Sequence, residues 1–163
     1  MNIKKLYDMQ RELDRHIEGQ HGLDKEDLFD RKLLALLVEA GELANETRCF
    51  KFWSVKSASE KQIILEEYVD GIHFILSLGL DLGYEYSSEG HKGEPGDHNL
   101  TVQFLKVAES IIKFRSTKSK DDYEALFSQY ILLGGQLHFS WQEIEEGYIM
   151  KNEVNYERQR QGY

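Results

Sequence analysis

Two acidic pairs stand in apolar sequence. Glu39 and Glu42 lie three residues apart in the run LLALLVEAGELANE (residues 33–46), with Glu46 a turn further on. Glu67 and Asp70 lie three apart in ILEEYVDGIHFILSLGL (residues 64–80). Each residue of an α-helix advances by about 100°, so acids at i and i+3 share one face. On a wheel centred on Glu39, Glu42 and Glu46 fall about 60° and 20° to one side. Leu36, Ala40 and Leu43 border that stripe on one edge, and Ala35 and Val38 on the other. The polar back of the helix, around Gly41, Asn45 and Arg48, lies elsewhere. Glu67 and Asp70 lie beside Ile63, Phe74 and Leu78 in a helix that is apolar almost all round, the pattern of a buried helix.

Ionised carboxylates held against apolar neighbours need a cation, because unpaired buried charge is costly and like charges raise one another's pKa. Arg48 lies on the far face, and Lys51 and Lys61 lie near the helix ends. A hard divalent cation fits better, and oxygen ligands without Cys or His suit Mg²⁺ or Mn²⁺. The alternative is a set of surface or capping acids, as most E-x-x-E pairs are.

The elements that must position these residues read as helices. The chain has 163 residues, one Pro, and almost no period-2 alternation, which predicts an all-α fold, a helical bundle forming a single domain over residues 1–163. The first helix spans residues 2–20, with Ile3, Leu6, Met9, Leu13 and Ile17 as its apolar stripe and Gly22 and Asp24 ending it. Gln10 and Asp14 adjoin that stripe; by pattern alone they read as ordinary edge polarity. The first acidic helix begins near Asp30 as N-cap, and Ser59 or Ser57 caps the second, which runs to about Asp81. Gly71, next to Asp70, permits a close helix approach, and His73 follows one turn after Asp70. The stretch 83–99 is the one clear loop. Helices follow over residues 99–114 and 122–137, joined by a polar connector at 115–121, with Gly134 and Gly135 weakening the end of the latter. Ser140 and Glu143 fit a capping box that opens the last helix.

Two further groups carry possible chemistry. In the stretch 48–54, the aromatics around Lys51 and Trp53 could stack a base beside a phosphate or plug a core. Lys151, Asn155 and Arg158 recur at i, i+4 and i+7, a basic and amide stripe suited to an anion or to a solvated helix end.

The net charge of −9 argues against a nucleic-acid partner, though not against a nucleotide bound through metal. The single Cys, Cys49, fits a reducing compartment, and the charged, amphipathic first residues do not read as a signal peptide. No apolar run reaches the roughly 18 residues of a membrane span. The expected location is cytoplasmic, with no membrane partner. The apolar second acidic helix, together with nine Tyr, eight Phe and two Trp, predicts a homodimer that buries the excess.

The spacing E-x-x-E, 24 residues, E-x-x-D resembles the signature of the all-α nucleoside triphosphate pyrophosphatases. Within them the chain is similar to the dimeric dUTPases, through the stretches 9–14 (MQRELD), Lys51-Phe-Trp53, residues 70–74 (DGIHF) and the tail Lys151-Asn-x-x-Asn155-x-x-Arg158-Gln. The resemblance implies that Glu39, Glu42, Glu67 and Asp70 hold Mg²⁺, with Glu39 or Glu42 as the base. It implies that Gln10, Asp14, His73 and Phe74 surround the deoxyuridine, that Trp53 closes the pocket, and that Lys151, Asn155 and Arg158 hold phosphates. Lys51 belongs to the same expected substrate-binding set. Family members often carry Asn where Asp14 stands. The implied reaction takes dUTP, and also dUDP, to dUMP, with attack at the β-phosphorus. Two other readings stay open from the residues themselves: a pyrophosphatase for another nucleotide such as dCTP, and a non-enzymatic helical adaptor.

Overall fold

The computed structural model describes residues 2–86 and 99–162. They form six helices: α1 (Ile3–His21), α2 (Phe29–Thr47), α3 (Lys61–Leu82), α4 (Leu100–Thr117), α5 (Lys120–Gln136) and α6 (Trp141–Arg160). Most of the expected loop at 83–99 lies outside the described residues.

α3 is the axis of the bundle. It contacts α1, α2, α5 and α6, which explains why it is apolar almost all round: Leu65, Val69, Ile72, Ile75, Leu76 and Leu78 are buried within this one chain. The expectation that a second subunit is needed to cover α3 is therefore corrected. Among the described residues, exposed apolar side chains lie on α2 (Leu34 63%, Val38 50%), on α4 (Leu105 59%, Ile112 52%), on α6 (Trp141, Met150 and Val154) and in the segment holding Phe52, Trp53 and Val55, whereas α3 shows only Ile63 in its first turn.

Several helix ends differ from expectation for local reasons. Asp30 sits inside the first turn of α2 and pairs with Arg115; the Phe29 N–H donates to Asp27 instead. Ser59 does not cap α3. Its hydroxyl donates to Glu46, and its N–H to the Glu46 carbonyl, tying the end of α2 to the approach to α3. The expected polar connector at 115–121 is mostly helix, because Lys118 adopts a left-handed conformation (φ 50°) and Ser119 caps α5, leaving only two residues between helices. The capping box of Ser140 and Glu143 is present, and Gly22 ends α1 at φ 67°.

α5 fixes the rotation of α3 through a reciprocal arrangement. The Tyr68 hydroxyl donates to the Tyr130 carbonyl at 3.1 Å, and the Tyr130 hydroxyl to the Tyr68 carbonyl at 3.0 Å, with the rings stacked at 4.8 Å. Each ring lies over a glycine of the other helix: Tyr130 on Gly71 and Tyr68 on Gly134. Gly134 thus serves packing rather than merely weakening α5. A Cβ at Gly71 would fall 2.5 Å from Tyr130 Cζ. Gly71→Ala is therefore expected to cost about 1–3 kcal/mol, the usual range for overpacking a dense core, as a lower urea midpoint with unchanged slope. A midpoint equal to wild type would show that α3 and α5 separate freely.

Candidate active site

With α5 seated against Gly71, the opposite side of α3 faces α1, α2 and α6. A cavity of about 310 Å³ opens between these four helices. Its lining includes Gln10 and Asp14 of α1, Glu39 of α2, Asp70, His73 and Phe74 of α3, and Asn155 and Arg158 of α6.

Glu39, Glu67 and Asp70 each offer a carboxylate oxygen within 4.8 Å of the others. Glu42 is exposed and stands outside this group. Of the four expected acids, three converge here and Glu42, one turn on along α2, lies at the more exposed edge of the same face. Its charge still acts on the site by raising the pKa of Glu39 and Glu67. Burial, then Asp70, Glu42 and Glu67, push Glu39 up to about 7. Burial also raises Glu67 and Asp70, although the Lys151 ammonium, 2.6 Å from Asp70, opposes the shift there. The three groups fit a divalent cation by their chemistry: only carboxylate oxygens, mutually repelling, with one lysine among them.

That repulsion gives a pH dependence. The ordinary value for Glu39 is 4.5 and its folded value is about 7, so the folded chain holds the extra proton between them. Without divalent cation, stability is expected to fall as pH rises from about 4.5 through about 7. Glu67 and Asp70 shift in the same direction and add to the fall. Saturating divalent cation requires the ionised carboxylates and flattens it. Melting temperatures across this range, with and without cation, check the slope; a rising slope without cation would contradict it.

The inner wall is a chain of hydrogen bonds. Ser77 Oγ donates to Asp14 Oδ2 at 2.7 Å, and Gln10 Nε2 to Asp14 Oδ1 at 2.7 Å. Gln10 Oε1 accepts from the Tyr148 hydroxyl at 2.7 Å and lies 2.8 Å from His73 Nδ1. His73 stacks on Tyr148 with ring centres 4.0 Å apart. Burial, and then Lys151, lower His73 to about 3, so the ring is neutral. Its Nε2 is buried without a hydrogen-bond partner. Asp14 is raised by burial, against the hydrogen bond from Ser77 and the charge of Lys32. Lys32 lines the cavity and bridges Glu18 at 3.1 Å and Asp81 at 2.7 Å, joining α1, α2 and α3.

Lys151, Asn155 and Arg158 share one face of α6: Lys151 on Asp70, the other two at the cavity. Lys51 and Trp53 do not line it. Lys51 donates to Asn45, and Trp53 is 65% exposed, edge-on to Phe50 and Phe52. The structure thus brings together ten of the expected residues and leaves Glu42, Lys51 and Trp53 apart. Lys32, Ser77 and Tyr148 are missing from the expectation. Each stands seven residues from an expected one, Glu39, Asp70 and Asn155 respectively. Two helical turns of extension along the same face would have found them.

An all-α bundle in which clustered carboxylates, a lysine and an arginine border a cavity of about 310 Å³ has the parts of a hydrolase acting on phosphorylated substrates. The chain belongs to the dUTPase family, whose model, described as dUTPase, matches residues 2–163. It is a dUTP diphosphatase, hydrolysing dUTP. No curated protein matches the chain. Among the described residues, no helix is long and apolar enough to cross a membrane.

Proposed function

We propose that the enzyme converts dUTP, and also dUDP, to dUMP with Mg²⁺ (or Mn²⁺) held by Glu39, Glu67 and Asp70. The observation that carries this reading is that Glu39 and Asp70, with Glu67 within 4.8 Å of them, line the same cavity as Gln10, Asp14 and His73. When bound, the cation neutralises phosphate charge and lowers the pKa of water. The remaining work belongs to this chain. Lys151, next to Asp70, and Arg158 counter charge on the phosphate oxygens, and Asn155 donates from the same face. Phe74 lies against the nucleoside, and Gln10, Asp14 and His73 surround the base. Glu39, which lines the cavity, would take the proton from the attacking water. Glu42, one turn further along α2, adds negative charge beside these groups.

Water adds to the β-phosphorus, the bond from that phosphorus to the bridging oxygen breaks, and dUMP leaves, with pyrophosphate and one proton as the other products. The test is turnover of dUTP with Mg²⁺ in ¹⁸O-water. Label in pyrophosphate and none in dUMP is the expected result. Label in dUMP would overturn the β-attack, and no turnover would overturn the reading.

The functional unit of this reading is a cytoplasmic homodimer. Its support is the apolar surface of α2 and α4. These run antiparallel, as Asp30–Arg115 at one end and Thr101 to the Cys49 carbonyl at the other require. Leu34, Val38, Leu105 and Ile112 are all at least half exposed there. Trp53, exposed in a single chain, closes the partner's cavity. Val38→Asp is expected to convert a dimer that persists at low micromolar concentration into monomer by sedimentation; a wild-type monomer at that concentration would remove the proposal.

A further inference from the structure

We propose that Asp14 is a positioning residue: by locking the amide of Gln10 it fixes His73 in the tautomer that presents a bare Nε2 lone pair to the base. The inference rests on the reading that a pyrimidine occupies this cavity.

The argument follows from what each atom can do. A carboxylate only accepts hydrogen bonds. Asp14 Oδ1 stands 2.7 Å from the Gln10 amide, so the group facing it must be the NH₂, and Oε1 must face the other way. There Oε1 meets the Tyr148 hydroxyl and His73 Nδ1. A carbonyl oxygen also only accepts, so the His73 proton is on Nδ1. The ring is neutral, which leaves Nε2 as an acceptor. That atom is buried and has no partner, while the ring it belongs to lines the cavity. A buried acceptor left unmatched costs stability, and a donor arriving with a ligand would match this one.

The opposite arrangement is within reach. If Gln10 turned over, its NH₂ would face the Tyr148 oxygen and a bare His73 Nδ1. The Tyr148 hydroxyl already lies 3.4 Å from the Leu6 carbonyl and could donate there. His73 would then carry its proton on Nε2. Only Asp14 opposes this, because two oxygens would face each other across the Gln10–Asp14 contact. Ser77 holds the carboxylate in place from its other oxygen. Asp14 thus decides whether the wall accepts or donates at Nε2. Uracil presents N3–H, a donor between two carbonyls. Cytosine presents a bare N3 beside an amino group. An Nε2 lone pair complements the first and repels the second; an Nε2–H does the reverse.

The test uses full-length protein labelled with ¹⁵N-histidine, without nucleotide. Long-range ¹H–¹⁵N spectra, with His73 assigned by its loss in His73→Asn, are expected to place the proton on Nδ1. Asp14→Asn should keep that spectrum, since its oxygen can accept from Gln10 while its amide donates to Ser77 Oγ. Asp14→Leu, of similar size but without an acceptor, should bring in the Nε2–H form. It should also raise the ratio of kcat/KM for dCTP over dUTP by about tenfold, the worth of one hydrogen bond at a buried site. Asp14→Ala gives the same readout should the leucine variant not fold. An unchanged His73 tautomer in both apolar variants would overturn the locking role. A changed tautomer with an unchanged ratio would overturn the claim that Nε2 reads the base. Failure of the underlying reading looks different: the wild-type spectrum would be as expected, yet dUTP would not be turned over.

Discussion

The kcat/KM for dCTP is expected to fall on the order of 10³-fold or more below that for dUTP. The polar groups on the inner wall are already committed to one another. Gln10, Asp14, Ser77 and Tyr148 exchange hydrogen bonds of 2.7 Å, and His73 joins them at 2.8 Å. Such a network does not reorganise cheaply to meet a base whose donors and acceptors are exchanged. With cytosine, buried groups would be left unpaired, and a site built to hydrogen-bond its substrate rejects such a mismatch by about 10⁴–10⁵-fold at the upper end. An extra methyl on the base in dTTP acts by sterics alone, which is a weaker filter of about 10–200-fold. UTP is expected to be rejected sterically at its 2′-hydroxyl. A panel of dUTP, dCTP, dTTP and UTP under one Mg²⁺ concentration measures all four. Equal values for dCTP and dUTP would mean that this wall does not read the base.

Glu67→Gln is expected to lower turnover by at least about 10²-fold, the scale seen when one preorganised electrostatic group is lost from an active site. It should also abolish the rise in melting temperature that Mg²⁺ gives the wild type. The substitution preserves shape and leaves Glu39 and Asp70 in place, so the loss reports the missing charge and not a collapsed helix. In the absence of cation the same variant should be more stable than wild type at pH 8, because one of the mutually repelling acids has become neutral. The two signs together distinguish a cation site from a structural ion pair, whose removal would destabilise both forms. Glu66, adjacent in sequence but exposed and outside the carboxylate group, provides the control: Glu66→Gln should change turnover little. Wild-type turnover in Glu67→Gln would refute the proposed ligand set.

The acids could be read from sequence because helical periodicity and apolar flanks are local properties. Glu39, Glu67 and Asp70 announce themselves as charges where charge is costly, whichever way the helices are arranged. Gln10 was harder. Its neighbourhood reads as an ordinary helix edge, and only the contact of α1 with α3 and α6 makes it 3% exposed. Lys32 and Ser77 lie on the expected faces, yet nothing in their own stretches marks them. Their roles come from partners 14 to 63 residues away.

The sequence by itself determined six helices, the capping box at Ser140 and the faces on which the acids lie, since these depend on residues within a turn or two of one another. Tertiary structure decided the rest. It seated Tyr130 on Gly71, and so turned Asp70 and His73 toward α1 and α6. It covered α3 within one chain, leaving α2 and α4 with the exposed apolar surface that α3 was expected to carry. It also left Glu42 outside the carboxylate cluster and Trp53 away from the cavity. The physical reason is that a side chain's burial and its partners are set by which helices meet, and that choice is made by packing between segments far apart in the chain.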